Sequence, residues 1–172
     1  MDKPGQLAAR SARIVGIDPG TARIGYACVE ERGRAVRLIR AETITLAKGR
    51  SAPERLWRLA KAVEARLASD RPDAVAVERL YFTKNQKTAM AVAEARGVIL
   101  LTAHRRVNSI LEYGPLEVKL AVAGYGGADK GAVRRSVRML IGQGELPAGD
   151  DAIDAVSIAL TALAMRNAPR KR

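Results

Sequence analysis

The sequence predicts an α/β fold, a five-stranded mixed sheet flanked by helices on both faces. Three observations carry that prediction. Two short hydrophobic runs, 13–18 and 74–78, alternate with period two, and each ends on an acid. Between them Leu56, Leu59, Ala60, Val63 and Leu67 recur at helical spacing. The order of runs is three strands, helix, strand, helix, strand and closing helices, which describes one sheet covered by helices.

Residues 1–12 read as a flexible leader. The first strand, Arg13 to Asp18, places Ile14, Gly16 and Asp18 on one face and Val15 and Ile17 on the other. Pro19 and Gly20 end it in a turn. Arg23 to Glu31 and Ala35 to Thr45 are β-like runs joined at Arg32-Gly33-Arg34, so the first three strands form an antiparallel meander. Ser51-Ala-Pro-Glu54 starts a helix, with serine as the cap and glutamate three residues on. Arg55, Arg58, Lys61 and Arg66 cover much of its solvated side.

Ser69 to Asp73 breaks that helix. In the next strand, Ala74 to Glu78, Val75 and Val77 point one way while Ala74, Ala76 and Glu78 point the other. Leu80 to Gln86 is a loop holding Tyr81, Phe82, Lys84 and Asn85. An alanine-rich helix from about Lys87 to His104 presents Ala89, Ala91, Ala93, Ala95 and Gly97, a smooth surface suited to a core or a subunit interface. Val107 to Leu111 is a fifth strand, and a short helix with Lys119 lies within 112–123. After the turn at Gly124-Tyr-Gly-Gly127, Asp129 or Lys130 opens a helix through Leu140. A loop covers 142–149, the last helix runs from about Asp150 to Met165, and 167–172 is a basic tail. No repeat or linker interrupts the chain, so 13–166 is expected to be a single domain. The first and fourth strands, each ending in an acid, are expected to be neighbours at the sheet centre.

Composition narrows the function classes. The 172 residues are 48% hydrophobic, which excludes wholesale disorder. Thirty Lys and Arg against eighteen Asp and Glu leave a charge of +12, and that points to a polyanion partner, nucleic acid before membrane. One cysteine, Cys28, and one histidine, His104, exclude an intrachain disulfide and a Cys- or His-rich metal site. Met1 to Arg13 lacks an apolar signal core. Ala152 to Met165, the longest nearly apolar run, is too short to span a bilayer and carries Asp154. A soluble, cytoplasmic protein is expected.

The acids carry the chemistry. Asp18 at its Pro-Gly bend has two readings, a turn cap or a carboxylate delivered to a site. Asp150 and Asp151 suit the N-terminus of the last helix, where side-chain capping and the helix dipole favour acids. Asp154 is too far along that helix to cap it, and it lies about one turn from Asp151 on a neighbouring face. Asp18, Glu78, Asp151 and Asp154 are thus four acids on otherwise apolar elements of a basic protein. Oxygen ligands without histidine or cysteine suit Mg²⁺ or Mn²⁺. Two such ions about 4 Å apart promote phosphodiester hydrolysis by activating water and stabilising the leaving oxygen. Lysines and arginines would hold the phosphates.

Several motifs occur in order: Gly16-Ile-Asp18-Pro-Gly-Thr with Gly25-Tyr26, Val77-Glu78-Arg-Leu-Tyr81-Phe82 with Lys84-Asn85, and Ala95-Arg96-Gly97. They continue with Glu112-Tyr113, Val118-Lys119, Asp129-Lys130 and Asp151-Ala-Ile-Asp154-Ala. Spread over about 13–165, this set resembles the RuvC-type Holliday junction resolvases, of the RNase H-like fold. The resemblance implies a homodimeric endonuclease that resolves four-way DNA junctions during recombination and repair, using Mg²⁺, or Mn²⁺ in its place, with up to two ions per subunit. It implies that Asp18, Glu78, Asp151 and Asp154 are the catalytic, metal-holding acids. Lys119 and Lys130 match basic catalytic residues near the scissile phosphate, which also contact DNA. Tyr81 stands where the family usually has a phenylalanine that stacks on unpaired bases; Phe82 and Lys84 fall with it in the DNA-binding loop. The helix from Lys87 to His104 resembles the dimer element, and branch-migration proteins are implied as partners. Three other readings are a junction binder that no longer cuts, an actin-like ATPase or sugar kinase, and a nuclease for RNA–DNA hybrids. The phosphate-loop likeness of Asp18-Pro-Gly-Thr21 supports the second of these, but a second nucleotide-binding half is absent.

Overall fold

The computed structural model describes residues 11–33, 35–47, 49–80, 86–142 and 145–167. Its elements are β1 (Ala12–Asp18), β2 (Arg23–Arg32), β3 (Ala35–Thr45), α1 (Ala52–Asp70), β4 (Ala74–Glu78), α2 (Gln86–His104), β5 (Ile110–Tyr113), α3 (Pro115–Ala123), α4 (Lys130–Ile141) and α5 (Asp150–Asn167). The sheet order is β3-β2-β1-β4-β5. β1, β2 and β3 are antiparallel, while β4 runs parallel to β1 and β5 parallel to β4, giving the mixed sheet that the sequence predicts.

Strand parity sorts the core into two layers. Ile14, Ala27, Val29, Ala74 and Ala76 face α5, with α3 and α4 beyond it. Val15, Ile17, Ile24, Tyr26, Val75 and Val77 face α1 and α2, where Leu59, Val63, Leu67, Ala95 and Ile99 meet them. α1 starts as its sequence requires: Ser51 Oγ accepts from the Glu54 amide at 3.4 Å. It ends with Arg71 in the left-handed region at φ +47°, whose amide bonds back to the Leu67 carbonyl.

α5 occupies an unusual place. From Ala152 to Leu163 every residue is buried except Asp154, which is half-buried. Its buried hydroxyls are satisfied within the helix, Ser157 donating to the Ile153 carbonyl at 2.9 Å and Thr161 to the Ser157 carbonyl at 2.8 Å. Glycines let it approach the sheet: a methyl at Gly16 would collide with the Ala155 carbonyl, and one at Gly25 with the Asp151 carbonyl. The helix therefore rests on the backbone of β1 and β2.

β2 and α4 each run one residue past the sequence reading, to Arg32 and Ile141, and three other boundaries differ from it. β1 begins inside the stretch read as leader, because Ala12 is buried and pairs with Glu31. The fifth strand is Ile110–Tyr113 rather than Val107 to Leu111. Val107 still belongs to the exit from α2: its amide donates to the Ala103 carbonyl at 2.9 Å and its side chain packs in the core beside α1 and α2. β5 instead takes the register set by β4, Val75 opposite Ile110 and Glu78 opposite Tyr113. α5 continues to Asn167, past Met165.

Gly16→Ala is expected to destabilise the fold by about 1–3 kcal/mol, the cost of overpacking a close contact. Urea unfolding checks it, and unchanged stability would mean that α5 is not seated on β1 as described.

Candidate active site

β1 and β4 are adjacent and parallel, with Ile17 opposite Val77. The next residues, Asp18 and Glu78, therefore leave the carboxyl ends of two neighbouring central strands side by side. Parity puts both toward α5. Asp18 lies opposite Gly25 on β2, and over Gly25 sits the Asp151 carbonyl of α5. The first turns of α5 thus bring Asp151 and Asp154 to the strand tips. One glycine serves both ends of this arrangement, since a side chain at Gly25 would lift the helix that carries the other two acids.

Electrostatics registers the convergence. Burial, then Glu78, Asp154 and Asp151, push Asp18 up to about 8 from its ordinary 3.8, against the opposing pull of Lys130. Glu78 is raised by burial and by Asp154. Asp154 is raised by burial first, with Asp150 and Asp151 adding to it and Lys130 and Lys119 opposing. Asp151 is turned differently: Arg23 Nε and Nη2 reach its Oδ2 at 2.8 and 2.7 Å, and Thr43 Oγ1 donates to the same oxygen at 3.4 Å.

Among the described residues no three acids, histidines or cysteines stand as a ready-made metal-holding group. The donor chemistry nevertheless fits a divalent cation. These are carboxylates alone, and three of them, Asp18, Glu78 and Asp154, are partly desolvated and made costly to ionise by neighbouring acids, which is the strain that a hard cation relieves.

Lys119 and Lys130 line a cavity of about 370 Å³ beside the acids, with Glu78, Asp154 and Ser157 on its other walls. Lys130 Nζ donates to Asp150 Oδ2 at 2.8 Å, and that bond raises Lys130 and lowers Asp150. Asp129, read as a possible helix start, caps α4 by accepting from the Ala132 amide at 2.7 Å. His104 is exposed at the end of α2 and Cys28 is buried, its thiol pushed up to about 12 chiefly by desolvation. Tyr81, Phe82 and Lys84 lie outside the described residues.

Supporting residues escaped the sequence reading. Arg96 Nε donates to the Glu78 carbonyl at 3.1 Å and pairs with Glu112, fixing the tip of β4. Arg55 Nη2 donates to the Thr21 carbonyl, tying α1 to the turn after Asp18. Arg96 lay within a motif, Ala95-Arg96-Gly97, that gave it no role. Arg23 had no signal at all, because its partner is 128 residues away.

Known proteins agree with this architecture. The family model for crossover junction endodeoxyribonuclease RuvC matches residues 14–162. The protein of that name from Chloroflexus aggregans is 45% identical over 148 residues, 86% of this chain and 90% of the relative. The structure of T. thermophilus RuvC in complex with Holliday junction substrate superposes with a TM-score of 0.84 at 34% identity, covering 90% of this chain and 94% of that one. The yeast mitochondrial Holliday junction resolvase Ydc2 shares the fold at 16% identity, with a TM-score of 0.66 over 89% of this chain and 79% of its own.

Asp18 also fixes a pH dependence. An acid whose proton affinity rises on folding contributes most to stability at low pH, and that contribution is lost as pH climbs from its unfolded to its folded value, here from 3.8 to about 8. Without divalent cations, Asp18→Asn is expected to stabilise the protein by about 2–4 kcal/mol at pH 9 and by little near pH 3.5, each tenfold change in proton affinity being about 1.4 kcal/mol. Denaturant melts at the two pH values check this, and an equal effect at both would contradict the buried carboxylate cluster.

Proposed function

The chain belongs to the crossover junction endodeoxyribonuclease RuvC family, and from that premise we propose how its own residues cut DNA. It is a metal-dependent nuclease of RNase H-like fold that resolves Holliday junctions. The observation that carries the site assignment is the group of Asp18, Glu78 and Asp154 at the ends of β1 and β4 and the start of α5. Each is raised first by burial and then by neighbouring acids: Asp18 by Glu78, Asp154 and Asp151, Glu78 by Asp154, and Asp154 by Asp150 and Asp151.

Asp18, Glu78, Asp154 and, once turned toward them, Asp151 would hold Mg²⁺, or Mn²⁺ in its place, with up to two ions per subunit. When bound, such ions promote ionisation of water and neutralise charge on the leaving oxygen. The chain's own contribution is position and field. Water adds to phosphorus in line as the bond to the leaving oxygen breaks, and negative charge grows on the phosphoryl oxygens. Lys119 and Lys130, on the cavity wall beside the acids, meet that charge. Lys130 leaves Asp150 to do so, an exchange that two exposed side chains make readily. The net charge of +12 favours association with the DNA phosphates.

Tyr81, Phe82 and Lys84 follow Glu78, the last residue of β4, within six positions in the sequence. Their proposed roles are stacking of Tyr81 on unpaired bases and phosphate contact by Lys84. A homodimer would place two such sites on a two-fold axis, matching the symmetry of a four-way junction. The exposed stripe of α2, Met90, Ala93, Gly97 and Leu101, suits that interface, since a methyl at Gly97 meets no neighbour and the helix offers a smooth apolar side. No helix among the described residues is long and apolar enough to cross a membrane. A cytoplasmic site of action, in recombination and repair and alongside branch-migration proteins, belongs to the same proposal.

A synthetic four-way junction and a linear duplex of matched sequence, each with Mg²⁺ or EDTA, test the reading. Paired metal-dependent nicks in the junction alone are expected. Asp18→Asn should lower that cleavage by more than about 100-fold while junction binding stays within about twofold. Cutting of both substrates alike, or loss of binding together with cutting in a folded variant, would overturn it.

A further inference from the structure

Arg23 opens β2 at the end of the sheet where Asp18 closes β1, and its guanidinium grips Asp151 through two nitrogens on one oxygen. Thr43, which faces Gly25 across the β2–β3 pair, donates to the same oxygen. The antiparallel meander therefore holds one oxygen of Asp151 to its own side, on Arg23 and Thr43. The pair is not a buried structural bridge: the Arg23 side chain is 61% exposed and that of Asp151 is 29% exposed. Such a rim pair contributes little to stability and exchanges readily. An exposed guanidinium fork beside a phosphodiester site is also matched to a phosphate, whose geometry and charge it binds as well as a carboxylate.

The geometry points to Arg23 as an exchangeable counter-ion that couples arrival of the DNA strand to completion of the cation site. In the free protein Arg23 holds Asp151. A backbone phosphate of the incoming strand takes Arg23, and Asp151 is released toward Asp18 and Asp154, with which it already interacts electrostatically. The exchange replaces one ion pair by another but leaves Asp151 unpaired beside acids that repel it, so it is completed when a cation meets the freed carboxylate. By linkage, DNA and cation then each raise the affinity for the other. This accounts for four converging acids that form no ready-made metal group among the described residues of the free chain. Arg23 is here a DNA-binding and positioning residue. The inference rests on the proposal that the four acids hold a divalent cation.

Wild type and Arg23→Ala are compared in two measurements, Mn²⁺ titration of the DNA-free protein by calorimetry and junction binding in EDTA across a salt series. With Asp151 freed, Arg23→Ala should bind Mn²⁺ about two- to fivefold more tightly, the range set by an exposed ion pair. Because the variant neutralises one phosphate fewer, its slope of log affinity against log salt should be shallower by about 0.9. Equal or weaker Mn²⁺ binding by the variant, or an unchanged salt slope, overturns the role of Arg23 while leaving the cation site intact. Wild type that binds no Mn²⁺ removes the cation site itself and the coupling with it.

Discussion

The carbonyl oxygens of Asp151 and Ala155 lie where side chains at Gly25 and Gly16 would be, so α5 rests on the bare backbone of two strands. The helix is enclosed by the sheet on one side and by α3 and α4 on the other, with no wet face along most of its length. Its approach distance and rotation are consequently fixed by hard contacts rather than by loops. The backbone of Asp151 and Asp154, in its first turns, inherits that precision and lies beside the two strand ends that carry the other pair. A site assembled from residues 18, 78, 151 and 154 needs a device of this kind, because close-packed interiors transmit position while surface loops do not.

Two sets of acids in the molecule show what is special about this site. Elsewhere on the meander, Glu30 is paired with Arg13 and Arg32, and Glu42 with Arg66 and Arg40, and both acids are held below the usual carboxylate range. Asp70, the buried last residue of α1, receives the Tyr26 hydroxyl at 2.8 Å and Arg40 Nε at 3.2 Å. Those carboxylates have their partners; Glu42 and Asp70 fasten α1 to the sheet. Asp18, Glu78 and Asp154 shift the other way, through burial and the charge of neighbouring acids. A protein with thirty Lys and Arg does not lack cations to place beside them. Leaving them unmatched costs stability, and opposed shifts of this kind support the proposed site.

Much of this was legible in the sequence, for reasons that are local. Period-two alternation gave the two faces of β1 and β4, and the acid at the end of each followed from it. Asp154 stood out because an ionisable group inside an apolar helix has no capping role. The ordered motifs led to the family. What was not legible depends on contacts made across the chain. Gly16 and Gly25 look like ordinary strand and motif glycines until the path of α5 is known. Val107 is apolar and β-branched, and only its hydrogen bond back to α2 excludes it from the fifth strand. Lys130 was among the expected site residues, but its bond to Asp150 joins two elements through side chains that propensity does not order. Arg23 sits on a strand end whose pattern says only that it is exposed.

Crystals soaked in Mn²⁺ and measured at the manganese absorption edge address the central claim directly. Anomalous density bounded by the carboxylates of Asp18, Glu78 and Asp154, and lost in Asp18→Asn crystals, is the predicted result. Manganese bound only elsewhere on the surface, with these three carboxylates left as they are in the free protein, would contradict the account.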